Sequence, residues 1–143
     1  MSFTKNGIER LTNGDDYLFI DKHRDGFSGA SKWTIIYQLE FQIADFGTIN
    51  YREECASDSK LAQAYNFYKH GGHLQFVGVD KDNNQVKLGK FVLTKTGLWH
   101  GYPTDYWDNT QDKPKKETLE KMMNNNLIDK NQMKKIRRGK KGI

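Results

Sequence analysis

The stretch His70–Asp108 constrains the fold of this chain most. It reads as a helix end, two paired strands and a loop crowded with aromatic and imidazole side chains. Three of the four histidines (His70, His73, His100) and two of the three tryptophans (Trp99, Trp107) fall inside it. Leu74–Val79 and Gln85–Leu93 predict strands joined through the polar loop Asp80–Asn84. Val86 and Leu88 share one parity, Phe91 and Leu93 the other. A bulge at Gly89 is therefore expected to bring both pairs onto one face. Asp80, Asp82 and Asn84 space their oxygens like the start of a calcium loop. The sixth position, which needs glycine, is Gln85, and the twelfth, which needs glutamate, is Phe91, so that chemistry is excluded. Thr96–Asp108 then predicts an irregular aromatic loop.

The flanking segments suggest what packs around this centre. Tyr17–Ile20 is a short apolar run between acids, expected as a strand, and residues 21–31 read as a surface loop. That loop holds Lys22, His23 and Arg24 but lacks the glycine spacing of a phosphate-binding loop. Trp33, Ile35, Tyr37, Leu39, Phe41 and Ile43 alternate with polar residues, broken only at Ile36. This period of two predicts a long strand with one face on the core. Asp45–Gly47 is expected to turn the chain and Thr48–Arg52 to form a further short strand. Residues 58–70 predict a helix. Ser57 or Asp58 would cap it, Leu61, Ala64, Tyr65 and Tyr68 would form its apolar face, and Gly71 would end it.

After Pro114 the pattern becomes helical again. Leu119, Met122, Met123 and Leu127 form one stripe. Asp129 with Gln132 has the spacing of a capping box, and Ile128 with Met133 that of a hydrophobic staple. The expected fold is α+β: an antiparallel sheet of four to five strands, one packed helix and a C-terminal helical hairpin. Residues 1–112 would be the α+β domain. Residues 113–143 would be a basic helical hairpin and tail packed on that same domain.

Charge is distributed unevenly. Residues 113–143 hold eleven Lys/Arg against three acids, a net +8. Residues 1–112 hold twelve bases against fifteen acids, a net −3, which leaves the formal +5 of the whole. A basic tail on a mildly acidic body implies a polyanionic partner, an internal charge match or a solvated tail. The 143 residues suffice for one core. The single cysteine, Cys55, excludes an intramolecular disulfide and a cysteine-built zinc site. Neither a secretory leader nor a run long enough to span a bilayer is evident, so no membrane role is expected and the cytoplasm is the default compartment.

Three groups of residues can carry function. His73 and His100, with His70 beside them, are candidate acid–base catalysts, because imidazoles titrate near neutrality. With Lys90 or Lys95 they would suit metal-independent RNA cleavage, and the same three imidazoles are also a conceivable metal set. Trp99, Tyr102, Tyr106 and Trp107 can stack bases, or simply close the core. Asp105 and Asp108 beside them can hold a base edge, a metal or the loop itself. Lys134, Lys135, Arg137, Arg138, Lys140 and Lys141 form a phosphate-contacting surface. No third helix supports a helix–turn–helix, and no Gly-x-Ser-x-Gly elbow occurs.

The leading expectation is a small nucleic-acid-binding protein, for RNA or DNA. It would hold phosphates through the basic C-terminal helix and bases through the aromatic loop, without a cofactor or metal. The alternatives are a toxin-like metal-independent ribonuclease or phosphodiesterase, and a protein-binding inhibitor or immunity-type module that recognises a protein partner.

Overall fold

A computed structural model describes residues 6–24, 29–55 and 60–143. In chain order these form β1 (Ile8–Arg10), β2 (Asp16–Leu18), β3 (Lys32–Trp33), α1 (Tyr37–Asn50), β4 (Arg52–Glu54), β5 (Ala62–His70) and β6 (His73–Gln75). There follow β7 (Gly78–Val79), β8 (Gln85–Val86), β9 (Leu88–Lys95), β10 (Leu98–Thr104), α2 (Lys116–Asn124) and α3 (Lys130–Arg137). The α+β class is as expected, with a larger sheet. Among the described residues, seven strands form one sheet in the order β1-β2-β10-β9-β5-β4, with β6 added on β5. Every pairing in it is antiparallel except that of β2 with β10. β3, β7 and β8 form a second, small sheet.

β9 and β5 lie at the centre and are buried on both faces. Ala62, Ala64, Phe91 and Leu93 point to one layer with Tyr17, Phe19, Trp33, Ile43, Ala44 and Trp99. Tyr65, Phe67 and Leu88 point to the other, where they meet Leu119, Met122, Ile128, Met133 and Ile136 of the C-terminal helices. The expected bulge at Gly89 is therefore absent. β9 runs in unbroken register past Gly89, opposite Asn66 on one side and Pro103 on the other. Two parities of apolar residues serve two cores, not one bent face.

Two elements are of the opposite type to that expected. Trp33–Ile43 is not a strand: β3 ends at Trp33, and α1 runs from Tyr37 through the expected turn at 45–47 to Asn50. The buried face of α1 is Glu40, Ile43, Ala44, Gly47 and Thr48, which repeats at helical spacing. Gly47 lets the helix lie directly on β5, since a Cβ there would sit 2.7 Å from the Tyr65 carbonyl oxygen. Glu40 is tolerated inside because the Tyr17 hydroxyl and the Arg24 guanidinium donate to its two oxygens at 2.5 and 2.7 Å. The short strand expected at Thr48–Arg52 begins only at Arg52.

The helix expected over 58–70 is strand β5, and its suggested caps Ser57 and Asp58 lie outside the described residues. Gly71 does not end a helix. Gly71 and Gly72 have φ of +61° and +82° and make the two-residue turn that pairs His70 with His73. The span expected as one strand, Leu74–Val79, is split: β6 pairs with β5, while β7 pairs with β3 and β8. The Asp80–Asn84 hairpin loop forms as expected, with Asp80 Oδ1 accepting from the amides of Asp82 and Asn84, both at 2.9 Å.

The aromatic loop is mostly strand β10, held between β2 and β9. Gly101 gives it room, because a Cβ there would lie 2.3 Å from Phe91 Cδ1. The C-terminal helices form where expected. Gln132 N donates to Asp129 Oδ1 and Asp129 N to Gln132 Oε1, both at 2.8 Å, completing the capping box. Because α2 and α3 supply the second core, residues 113–143 are part of the fold and not an appendage.

Candidate nucleic-acid interface

α3 turns Met133 and Ile136 inward, which leaves Lys134, Lys135, Arg137 and Arg138 exposed on the other side; Lys140 and Lys141 beyond it are exposed too. Lys116 of α2 joins Lys130, Lys134 and Arg137 around a shallow depression between the helices. The ion pairs among the described residues join Arg10–Asp16, Arg24–Glu40, Arg52–Glu54 and Lys90–Asp112. None uses a cation of residues 113–143. Lys113 and Lys135 donate instead to the carbonyls of Arg137 and Gly142. Among the described residues, then, no ion pair joins the tail to the acidic body. The tail's positive charge faces water.

The four aromatic candidates separate. Trp99 is fully buried, and its indole N–H donates to Asp15 Oδ2 at 2.9 Å. It is a core residue and cannot stack a base, which corrects the expectation. Tyr106 is likewise buried; its hydroxyl donates to the Lys140 carbonyl at 2.5 Å, and burial pushes its pKa up to about 12. Tyr102 stacks on His23 at 5.4 Å, donates to Asp112 Oδ1 at 3.0 Å and has its pKa raised by burial. Trp107 is half-buried and meets the basic tail with its ring, Lys141 Nζ lying 5.3 Å from the centroid.

Trp107 lines a groove of about 240 Å³ together with Phe76, Leu88, Tyr106 and Ile143. Asn84, Gln85, Lys87 and Lys141 add polar and basic groups to it. Phe76 is 51% exposed and carries Lys87 Nζ 5.1 Å from its ring centroid. Lys87 and Ile143 also border a neighbouring depression of about 620 Å³ that holds Lys69 and His73. Sequence reasoning misses Phe76, Lys87 and Lys69. An isolated phenylalanine between two short strands carries no signal of exposure.

The histidines do not converge. His70 and His73 face each other across the β5–β6 turn and are exposed. His100 lies on β10 opposite Val92, which in turn pairs with Gln63 of β5. His70 is seven residues further along β5, about 23 Å at about 3.3 Å per residue. Neither an acid–base pair of His73 with His100 nor a three-imidazole metal set is assembled. Lys90, suggested as their cation, is buried against Asp112. Among the described residues no group of three or more His, Cys, Asp or Glu is placed to hold a metal ion.

His100 meets His23 instead, with Lys22, Ser31 and Tyr102 around a shared cavity of about 310 Å³. His23 Nδ1 lies 2.9 Å from the Ser31 carbonyl, which accepts its proton, whereas His100 Nδ1 is buried without a partner among the described residues. Burial lowers both pKa values; His23 and Lys22 lower that of His100 further. The unfolded chain takes up protons near the ordinary ~6.5, where the folded one resists. Stability should therefore fall as the pH drops from about 7 toward 5. We expect a lower urea midpoint at the acid end and a smaller fall in His100→Gln; an equal fall in both would show that His100 is not the group responsible.

Asp105 holds its own loop. Its Oδ1 accepts from Asp108 N at 2.9 Å and Asn109 Nδ2 at 3.2 Å, and burial raises its pKa. Asp108 is exposed.

No protein-family model matches the chain, and neither a curated protein nor a solved structure is significantly similar to it. Among the described residues, no helix is long and apolar enough to cross a membrane.

Proposed function

We propose that the protein binds nucleic acid, holding the phosphate backbone on the cationic surface of α3 and the residues that follow it. One observation carries this reading: the cations of residues 113–143 are without carboxylate partners among the described residues, on a segment whose own apolar face is anchored in the core. A fixed helix presents its charges at fixed spacing, so a polyanion gains their attraction without ordering a tail. Such contacts read the backbone and supply affinity more than sequence preference.

The test is retention of labelled RNA and DNA strands by the full-length chain at low and moderate salt, with fragment length read from the same samples. Salt-sensitive retention of intact strands supports the reading. Absence of retention at low salt for both RNA and DNA overturns it, and cleavage would replace binding by catalysis.

A further inference from the structure

We propose that the groove between Phe76 and Trp107 takes one unstacked nucleobase of a single-stranded nucleic acid, with the flanking phosphates held by Lys87, Lys140 and Lys141. This deepens the nucleic-acid reading and rests on it. The groove's walls are two aromatic side chains on different parts of the chain, one ahead of β7 and one beyond β10. Its volume of about 240 Å³ suits a single heterocycle and is too small for a stacked run. A base inside a duplex is already stacked on both faces and cannot enter; a base on a flexible single strand can.

Three further features favour a base over an apolar side chain of a protein partner. Asn84 and Gln85 at the rim offer both amide donors and acceptors for a base edge. The Trp107 indole N–H is buried with no acceptor among the described residues, an unmet donor that a base carbonyl or ring nitrogen would answer once the ring turns toward the groove it lines. Each aromatic wall carries a lysine on its ring, Lys87 at 5.1 Å from Phe76 and Lys141 at 5.3 Å from Trp107. Lys141 sits on a flexible stem and can swing from ring to phosphate as a base takes its place, and Lys87 can do so on releasing the Ile143 carbonyl to which it donates. Lys87 Nζ already donates to the Ile143 carbonyl and Asn84 Nδ2 to Asp80 Oδ2 at 3.2 Å, so it is Lys141 and Gln85 that an apolar anchor would leave without a protein partner.

The experiment uses the full-length chain with three probes: a labelled U12 RNA, a dT12 DNA and a 12-base-pair duplex. Anisotropy titrations at low salt compare the wild type with Phe76→Ala and Trp107→Phe. Phe76 is half-exposed, so its truncation leaves the core intact. Phe76→Ala should weaken U12 or dT12 binding by about fivefold or more, the loss of one base–aromatic stack, and leave the duplex unchanged. Tryptophan emission should be quenched by the single strands in the wild type and much less in Trp107→Phe. Preference for U12 over dT12 would assign the strand as RNA, and the reverse as DNA.

Single-strand affinity equal to wild type in Phe76→Ala would overturn the base pocket while leaving the phosphate surface standing. That is also the outcome if the groove takes a protein side chain. Failure of the wild type to bind all three probes would remove the nucleic-acid reading itself, and the base pocket with it.

Discussion

Asp112→Ala should cost about 3–5 kcal/mol of stability, seen as a lower denaturant midpoint, although the residue lies in a short turn between β10 and α2. Lys90 reaches Asp112 Oδ1 at 2.7 Å from the central strand β9, and the two side chains are 2% and 7% exposed. The Tyr102 hydroxyl donates to the same oxygen at 3.0 Å and the Thr104 hydroxyl to Oδ2 at 2.6 Å. Removing the carboxylate leaves a buried ammonium with the Gln111 carbonyl at 3.0 Å and the Tyr65 ring, and strands the Tyr102 hydroxyl, while the Thr104 hydroxyl keeps the Asp105 carbonyl at 3.1 Å. Burial already lowers the Lys90 pKa, opposed by its bond to Asp112, so removing that bond is expected to push the pKa down further. Asp108→Ala, an exposed carboxylate four residues earlier in sequence, should stay within about 0.5 kcal/mol of wild type. Equal effects at the two positions would mean that the buried pair does not hold this turn.

The second large effect is on binding. Changing Lys134, Lys135, Arg137 and Arg138 together to glutamine should weaken a single-stranded 12-mer on the order of 100-fold at about 50 mM salt, because a phosphate that meets no cation keeps its condensed counterions and gains nothing from their release. Helix α3 should survive the change. Its stability comes from Met133 and Ile136 in the core and from the Asp129–Gln132 capping box, none of which is touched. Thermal unfolding of the variant serves as the control, with a shift of only a few degrees expected. An unchanged affinity with an unchanged fold would move the site elsewhere.

The C-terminal hairpin is legible in sequence because its signals are local. A capping box and a stripe at 119, 122, 123 and 127 need no knowledge of the partner surface. Of the two central strands, β9 falls largely within the strand expected over Gln85–Leu93, whereas β5 is not legible, because it is buried on both faces and loses the alternation that marks a half-exposed strand. On β5 the small Ala62 and Ala64 face α1, and Tyr65 and Phe67 face the other layer, a pattern easily taken for helical spacing. α1 is hidden for the opposite reason. Its inward face carries Glu40, Gly47 and Thr48, which only the Arg24 partnership and the close approach to β5 make suitable for burial.

The candidate site divides in the same way. The cations of α3 follow from composition and helix phase. Which aromatics line a groove does not, because Trp99 and Trp107 look equivalent in sequence. They differ only because β10 carries Trp99 into the core and ends at Thr104, before Trp107. The separation of His100 from His70 and His73 is equally a product of strand register, since residues 27 to 30 positions apart say nothing of distance until β5, β9 and β10 are aligned. The same holds for His23, which reads as part of a plain surface loop and lies under Tyr102.

The most direct test is the salt dependence of wild-type binding to a single-stranded oligonucleotide, measured by anisotropy on the full chain from about 25 to about 200 mM salt. Binding through Lys134, Lys135, Arg137 and Arg138 with others of the tail predicts a plot of log affinity against log salt with a slope of about −3 or steeper, at about −0.7 per phosphate. A slope near zero, or no binding at the lowest salt, would contradict a phosphate-holding surface and leave the basic face as solvated charge alone.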